Sequence, residues 1–186
     1  MPGRTPAEAF KAFADPLQRA AGVLGQVTLA VSPGGRAPGS DEQPHAWSLN
    51  GLRGAAFPGG WHFEAQMHYR FVKDLELPTG PWRITTVAYR YRLALLGSDL
   101  FRIHWHPGGR SPVTYPHLHA GLAGPEDMVG KSLDAHLPVP RLPFEFAVQW
   151  AIEVGVPPAR DDWQGELDAC VGPHLEHRSW SQRGPA

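Results

Sequence analysis

Every second residue is apolar along residues 61–71, WHFEAQMHYRF. Trp61, Phe63, Ala65, Met67, Tyr69 and Phe71 make one set, and His62, Glu64, Gln66, His68 and Arg70 make the other. Successive side chains of a strand point to opposite faces, so this period of two predicts a strand with one buried face and one polar face. Residues 82–96 repeat the pattern, with Val87, Tyr89, Tyr91, Leu93 and Leu95 on one side and Arg90 and Arg92 on the other. Residues 99–106 repeat it again, setting Phe101, Ile103 and Trp105 against Arg102, His104 and His106. A turn at Leu96-Gly97-Ser98, with Leu95 opposite Asp99, joins these two as a hairpin with a three-residue loop. Arg92 then faces Arg102, and Arg90 faces His104. Pro107-Gly108-Gly109 and Ser111-Pro112 end the strand, and Val113 starts another. A hairpin across residues 107–112, with His106 opposite Val113, sets His104 against Tyr115, Arg102 against His117 and Leu100 against His119. Tyr115, His117 and His119 join the polar face in that register, while Leu118 and Ala120 join the buried one. A slip of one residue would drive the histidines into the core, so the hydrophobic pattern opposes it.

The flanking segments read as helices and shorter strands. Thr5-Pro6-Ala7-Glu8 has the form of a capped helix start, followed by Phe10, Phe13, Ala14 and Leu17 at helical spacing. Asp15-Pro16 is expected to divide this into two short helices, with Gly22 as the stop. Residues 24–31 and 45–53 predict strands, 32–44 a flexible loop and 57–60 a turn. Phe144 to Val154 predicts a helix ended by Gly155, Asp161 opens a last helix running to about Cys170, and 178–186 is expected to be a loose tail. The expected architecture is one α+β domain over 1–186: a mainly antiparallel sheet of five to six strands, N- and C-terminal helices on one face, and an open His/Arg-rich face.

Composition narrows the classes. A formal charge of −1 gives no global attraction to nucleic acid. No apolar run approaches the roughly 20 residues of a membrane-spanning helix. The N-terminus lacks a basic region followed by an apolar core, and the single cysteine, Cys170, excludes an internal disulfide. A cytoplasmic protein is therefore expected. Charge is uneven along the chain, however. Arg83, Arg90, Arg92, Arg102 and Arg110 fall within residues 83–110, with Asp99 as the sole acid there, and no lysine lies between residues 74 and 130. A merely solvated sheet face is usually richer in Lys, Glu, Thr and Ser.

This polar face suggests three chemistries. The leading expectation is RNA cleavage without a metal: Arg102 holds the scissile phosphate, His104 and His117 act as the acid–base pair, and Glu64 and Tyr115 assist. Arg70, Arg90, Arg92 and Arg110 would bind substrate. Histidine suits this work because its unperturbed pKa lies near 6.5. The alternative is a divalent transition-metal site in which His104, His106, His117 and His119, as two His-x-His pairs, supply nitrogen ligands. Against a cupin-like set, Arg110 stands four residues after His106, where an acid is expected. Against a histidine-triad hydrolase, Gly121 occupies the third alternating position after His117 and His119. The third class is a non-catalytic binding protein. Cys170 is expected to be buried, and His136, His174 and His177 to be solvated. No phosphate-binding loop or nucleophile elbow is present.

The segments AYRYRLALLGSDLFRIHWHPGG and YPHLHAG, followed by a C-terminal helix, resemble the TumE-type toxins of bacterial toxin–antitoxin pairs over about residues 86–165. The resemblance touches Arg102, His104, His106, His117 and His119, with His104 standing where an aspartate is expected. It implies a toxin with an antitoxin protein as partner. Joined to the Arg/His face, this gives the expectation of a toxin-like RNA-directed endoribonuclease that acts without a metal cofactor. A homodimer is compatible with it, and no membrane partner is expected.

Overall fold

The computed structural model describes residues 2–39, 44–75, 80–108, 111–121 and 135–177. Arg110, residues 40–43 of the expected loop and the 178–186 tail lie outside them. The strands are β1 (Pro2–Gly3), β2 (Leu29–Val31), β3 (His45–Leu49), β4 (Ala55–Phe57), β5 (Trp61–Lys73), β6 (Trp82–Leu95), β7 (Ser98–Trp105), β8 (His117–Ala120) and β9 (Leu137–Pro138). They form one antiparallel sheet in the order β2-β3-β5-β6-β7-β8-β9, with β1 paired to β6 and β4 to β5. The count exceeds the expected five to six because β1, β4 and β9 have only two or three residues each, too short for periodicity to reveal, while the strands expected over 24–31 and 45–53 shorten to β2 and β3. Helices α1 (Pro6–Gly22), α2 (Phe144–Val154) and α3 (Trp163–Glu176) complete the α+β fold.

The three helices cover the apolar sheet face. Phe144 of α2 packs its ring against Trp47, Phe63 and Tyr91 from three strands, and Phe13 of α1 packs against Tyr69. Phe63, Tyr69, Tyr91, Leu93 and Ile103 are fully buried. At roughly 1.5–3 kcal/mol for each large apolar side chain removed from water, this face supplies the main drive for folding. Helix α1 starts as its cap predicts, with Glu8 N–H donating to Thr5 Oγ1 at 3.2 Å. It does not break at Pro16. Buried Phe13, Leu17, Ala20 and Ala21 lie on both sides of the proline, and their packing keeps one helix continuous. Likewise α3 runs past Cys170 to Glu176 with Pro173 inside it.

Two extra residues in the strands correct the simple alternation. Met67 pairs with Tyr89 but Tyr69 pairs with Thr86, so Val87 is inserted in β6 rather than buried beside Tyr89. Between β6 and β7, Leu95 pairs with Ser98 across a two-residue turn, not with Asp99 across three. Leu96 and Gly97 hold positive φ of 50° and 84°, the conformation that matches the twist of a tight hairpin. Leu100 is then the inserted residue, and beyond it Arg92 faces Arg102 and Arg90 faces His104 as expected. The expected flexible loop is partly anchored: buried Tyr69 donates its hydroxyl to Gly35 O at 2.6 Å. No helix among the described residues is long and apolar enough to cross a membrane.

Candidate metal centre

The sheet arranges its polar face in cross-strand rows. One row runs Glu64, Arg92, Arg102, His119; the next runs Gln66, Arg90, His104, His117. The β7–β8 register differs from the expected one. His104 pairs with His117, and Arg102 with His119, instead of His104 with Tyr115 and Arg102 with His117. The shift is two residues, so every side chain keeps its face, and β8 begins at His117 rather than Val113. The loop before β8 is longer than the six residues of the simple hairpin.

This register draws five imidazoles together. His104 and His117 lie 5.5 Å apart between ring centroids, His104 and His106 6.0 Å, His106 and His117 5.6 Å, and His117 and His119 5.0 Å. The fifth is His136, just before β9, 4.7 Å from His117 and 4.6 Å from His119. It is exposed, as its Pro-rich context suggested, yet its ring stands against two buried histidines. The signal missed was pairing of β9 with β8, two residues that carry no periodicity. His117 and His119 are only 1% and 8% exposed, whereas His104 and His106 are half-buried and His136 is exposed, so the face is open at one side of the cluster.

Two overlapping sets of ligand atoms result, His104/His106/His117 and His117/His119/His136, each with its atoms within 4.8 Å of one another. His117 Nδ1 lies 3.0 Å from the Tyr115 carbonyl oxygen and donates to it, which leaves Nε2 as the lone pair directed into the cluster. Tyr115 thus contributes its backbone, while its ring sits 6.1 Å from that of His117. His104 Nε2 is buried without a hydrogen-bond partner. Burial, followed by the neighbouring His119, His117, His106 and Arg90, pushes the His104 pKa down to about 3. Burial also lowers that of His117, against the opposing hydrogen bond to Tyr115. Both rings are therefore neutral near pH 7.

The arginines are largely occupied. Asp99 receives Arg92 Nε at 2.6 Å and lies 2.6 Å from Arg102 Nε, and Glu64 receives Arg92 Nη1 at 2.6 Å. Alternation alone would place Asp99 and Arg102 on opposite faces; the inserted Leu100 brings them to the same one. Arg90 reaches Glu64 only at 3.5 Å. Arg70 is exposed on the strand beyond the Val87 insertion, opposite Thr85 and away from the histidine rows. His174, expected to be solvated, is instead half-buried. Its Nδ1 meets Glu145 Oε1 at 2.5 Å and its Nε2 meets Phe13 O at 3.2 Å. His177 is exposed, and Cys170 is buried as expected.

Compared with protein-family models, curated proteins and solved structures, the chain matches none.

Proposed function

We propose that the chain is a metal-binding protein that holds a single divalent transition-metal ion among His104, His106, His117, His119 and His136. The observation that carries this reading is the buried, unpartnered Nε2 of His104 inside a set of imidazoles in which burial keeps His104 and His117 neutral. A buried polar atom without a partner is destabilising, and a cluster of lone pairs with few donors among them is the environment that a metal ion relieves. Ligands about 2.1 Å from a tetrahedral ion lie about 3.4 Å from one another, so atoms that now lie within 4.8 Å need to close in by at most about 1.4 Å. His117 belongs to both sets, which favours one ion with His117 as the fixed ligand. An ion bound there would supply Lewis acidity, the basis of a hydrolase function. The metal-free ribonuclease reading has weaker support. It needs one charged histidine as acid, whereas His104 and His117 are both held neutral, and Arg102 is engaged by Asp99.

Elemental analysis of tag-free protein after supplementation with Zn²⁺, Co²⁺ or Ni²⁺ tests the reading. About one equivalent is expected in the wild type and in His177→Ala, whose histidine lies outside the cluster. His117→Ala is expected to bind at least about 100-fold more weakly. Circular dichroism of the variant separates loss of ligand from loss of fold. No bound metal in the wild type, or unchanged affinity in folded His117→Ala, would overturn the proposal.

A further inference from the structure

Resting on the metal reading, we propose that the centre takes a phosphate monoester as its exogenous ligand and that Arg90 recognises the phosphoryl group. The argument is one of charge. Both ligand sets contain imidazoles alone among the described residues, and neutral imidazoles leave the charge of a divalent ion uncompensated. The acids closest in the cross-strand rows are already committed. Asp99 lies between Arg92 and Arg102, and Glu64 Oε1 is held by Arg92 at 2.6 Å. Two carboxylates thus balance two arginines.

Arg90 is left over. Its side chain is 52% exposed, its carboxylate contact among the described residues is Glu64 at 3.5 Å, and it stands directly across from His104. Cross-strand neighbours lie about 5 Å apart, so the two side chains leave the same face next to each other, with the guanidinium reaching toward Glu64 in the adjacent row. A divalent ion together with Arg90 presents three positive charges, which a dianion offsets better than a carboxylate. The guanidinium fork also matches the tetrahedral oxygens of a phosphoryl group. Recognition here is binding only, with no bond made or broken.

The test uses Co²⁺-loaded full-length protein, the visible bands of the ion as readout, and phenyl phosphate and acetate as probes. Phenyl phosphate is expected to shift the bands saturably and acetate to do so far more weakly. Arg90→Gln should weaken phenyl phosphate binding by roughly tenfold or more, the loss of a charge-assisted contact, while leaving Co²⁺ affinity unchanged. Arg90→Lys, which keeps the charge without the fork, should fall between. Bands that ignore phenyl phosphate, an Arg90→Gln variant that binds it as wild type does, or equal binding of acetate would each overturn the inference while leaving the metal centre standing. Failure of Co²⁺ to bind the wild type would overturn the metal reading and this inference together.

Discussion

Arg92 holds carboxylates from two different strands. Its Nε donates to Asp99 and its Nη1 to Glu64, all three side chains half-buried or more. Removing it leaves Asp99 with Arg102 and Glu64 with only the 3.5 Å contacts to Arg90 and His62, and because these acids are largely buried that costs more than losing an exposed ion pair. Arg92→Ala is expected to lower stability by about 2 kcal/mol, and urea unfolding monitored by tryptophan fluorescence measures it. A loss below about 0.5 kcal/mol would mean that the pairs behave as exposed surface bridges. The facing of Arg92 and Arg102 was legible from alternation. The role of Asp99 was not, because period-two counting assigns it to the wrong face once Leu100 is inserted. His136 was likewise hidden: Ala135-His136-Leu137-Pro138 carries no periodic pattern, and only the pairing of β9 reveals its neighbours.

Among the elements, the β6–β7 turn and the end of β8 depend on glycine for different reasons. Gly97 has φ of +84°, yet a Cβ there would meet nothing within 4 Å. Gly97→Ala therefore incurs only the backbone cost, about 1 kcal/mol. A Cβ at Gly121 would lie 1.7 Å from the Asp99 carbonyl oxygen, and Gly121 N–H donates to Leu100 O at 2.7 Å. Gly121→Ala must push β8 away from β7, at a cost expected to exceed about 3 kcal/mol, and disturb His117 and His119 with it. Melting temperatures of the two variants distinguish the cases, and equal shifts would contradict the close approach at the inserted residue. Alternation was informative for all of β5 and for the stretches Tyr89–Leu95 of β6 and Phe101–Trp105 of β7, whereas beyond each inserted residue it assigns the opposite face. It misjudged α1, where Pro16 suggested a break that apolar packing on both sides prevents.

Across the molecule, the core is held by tyrosines that burial keeps neutral. Tyr69 and Tyr89 are pushed up to about 12 and Tyr91 further, mainly by desolvation. In the unfolded chain these hydroxyls ionise near 10. A folded-state pKa above the unfolded one means that the contribution is fully present below pH 10 and is lost as pH rises through about 12. The urea midpoint should therefore fall steeply over that interval, together with the rise of tyrosinate absorbance; a flat midpoint would show that these hydroxyls ionise without unfolding. The α+β class was readable because the sheet's long strands carry their burial in their sequence, whereas the convergence of histidines depends on a register that is two residues from the simplest hairpin.

Cys170 sits between these scales. It lies on the buried side of α3, fully covered in the core, and burial pushes its thiol pKa up to about 11. Alkylating reagents act on the exposed thiolate, so the native protein is a poor target and each modification must wait for α3 to lift. As the one thiol in the sequence, Cys170 is a built-in clock for that opening, readable by mass spectrometry without any engineered label.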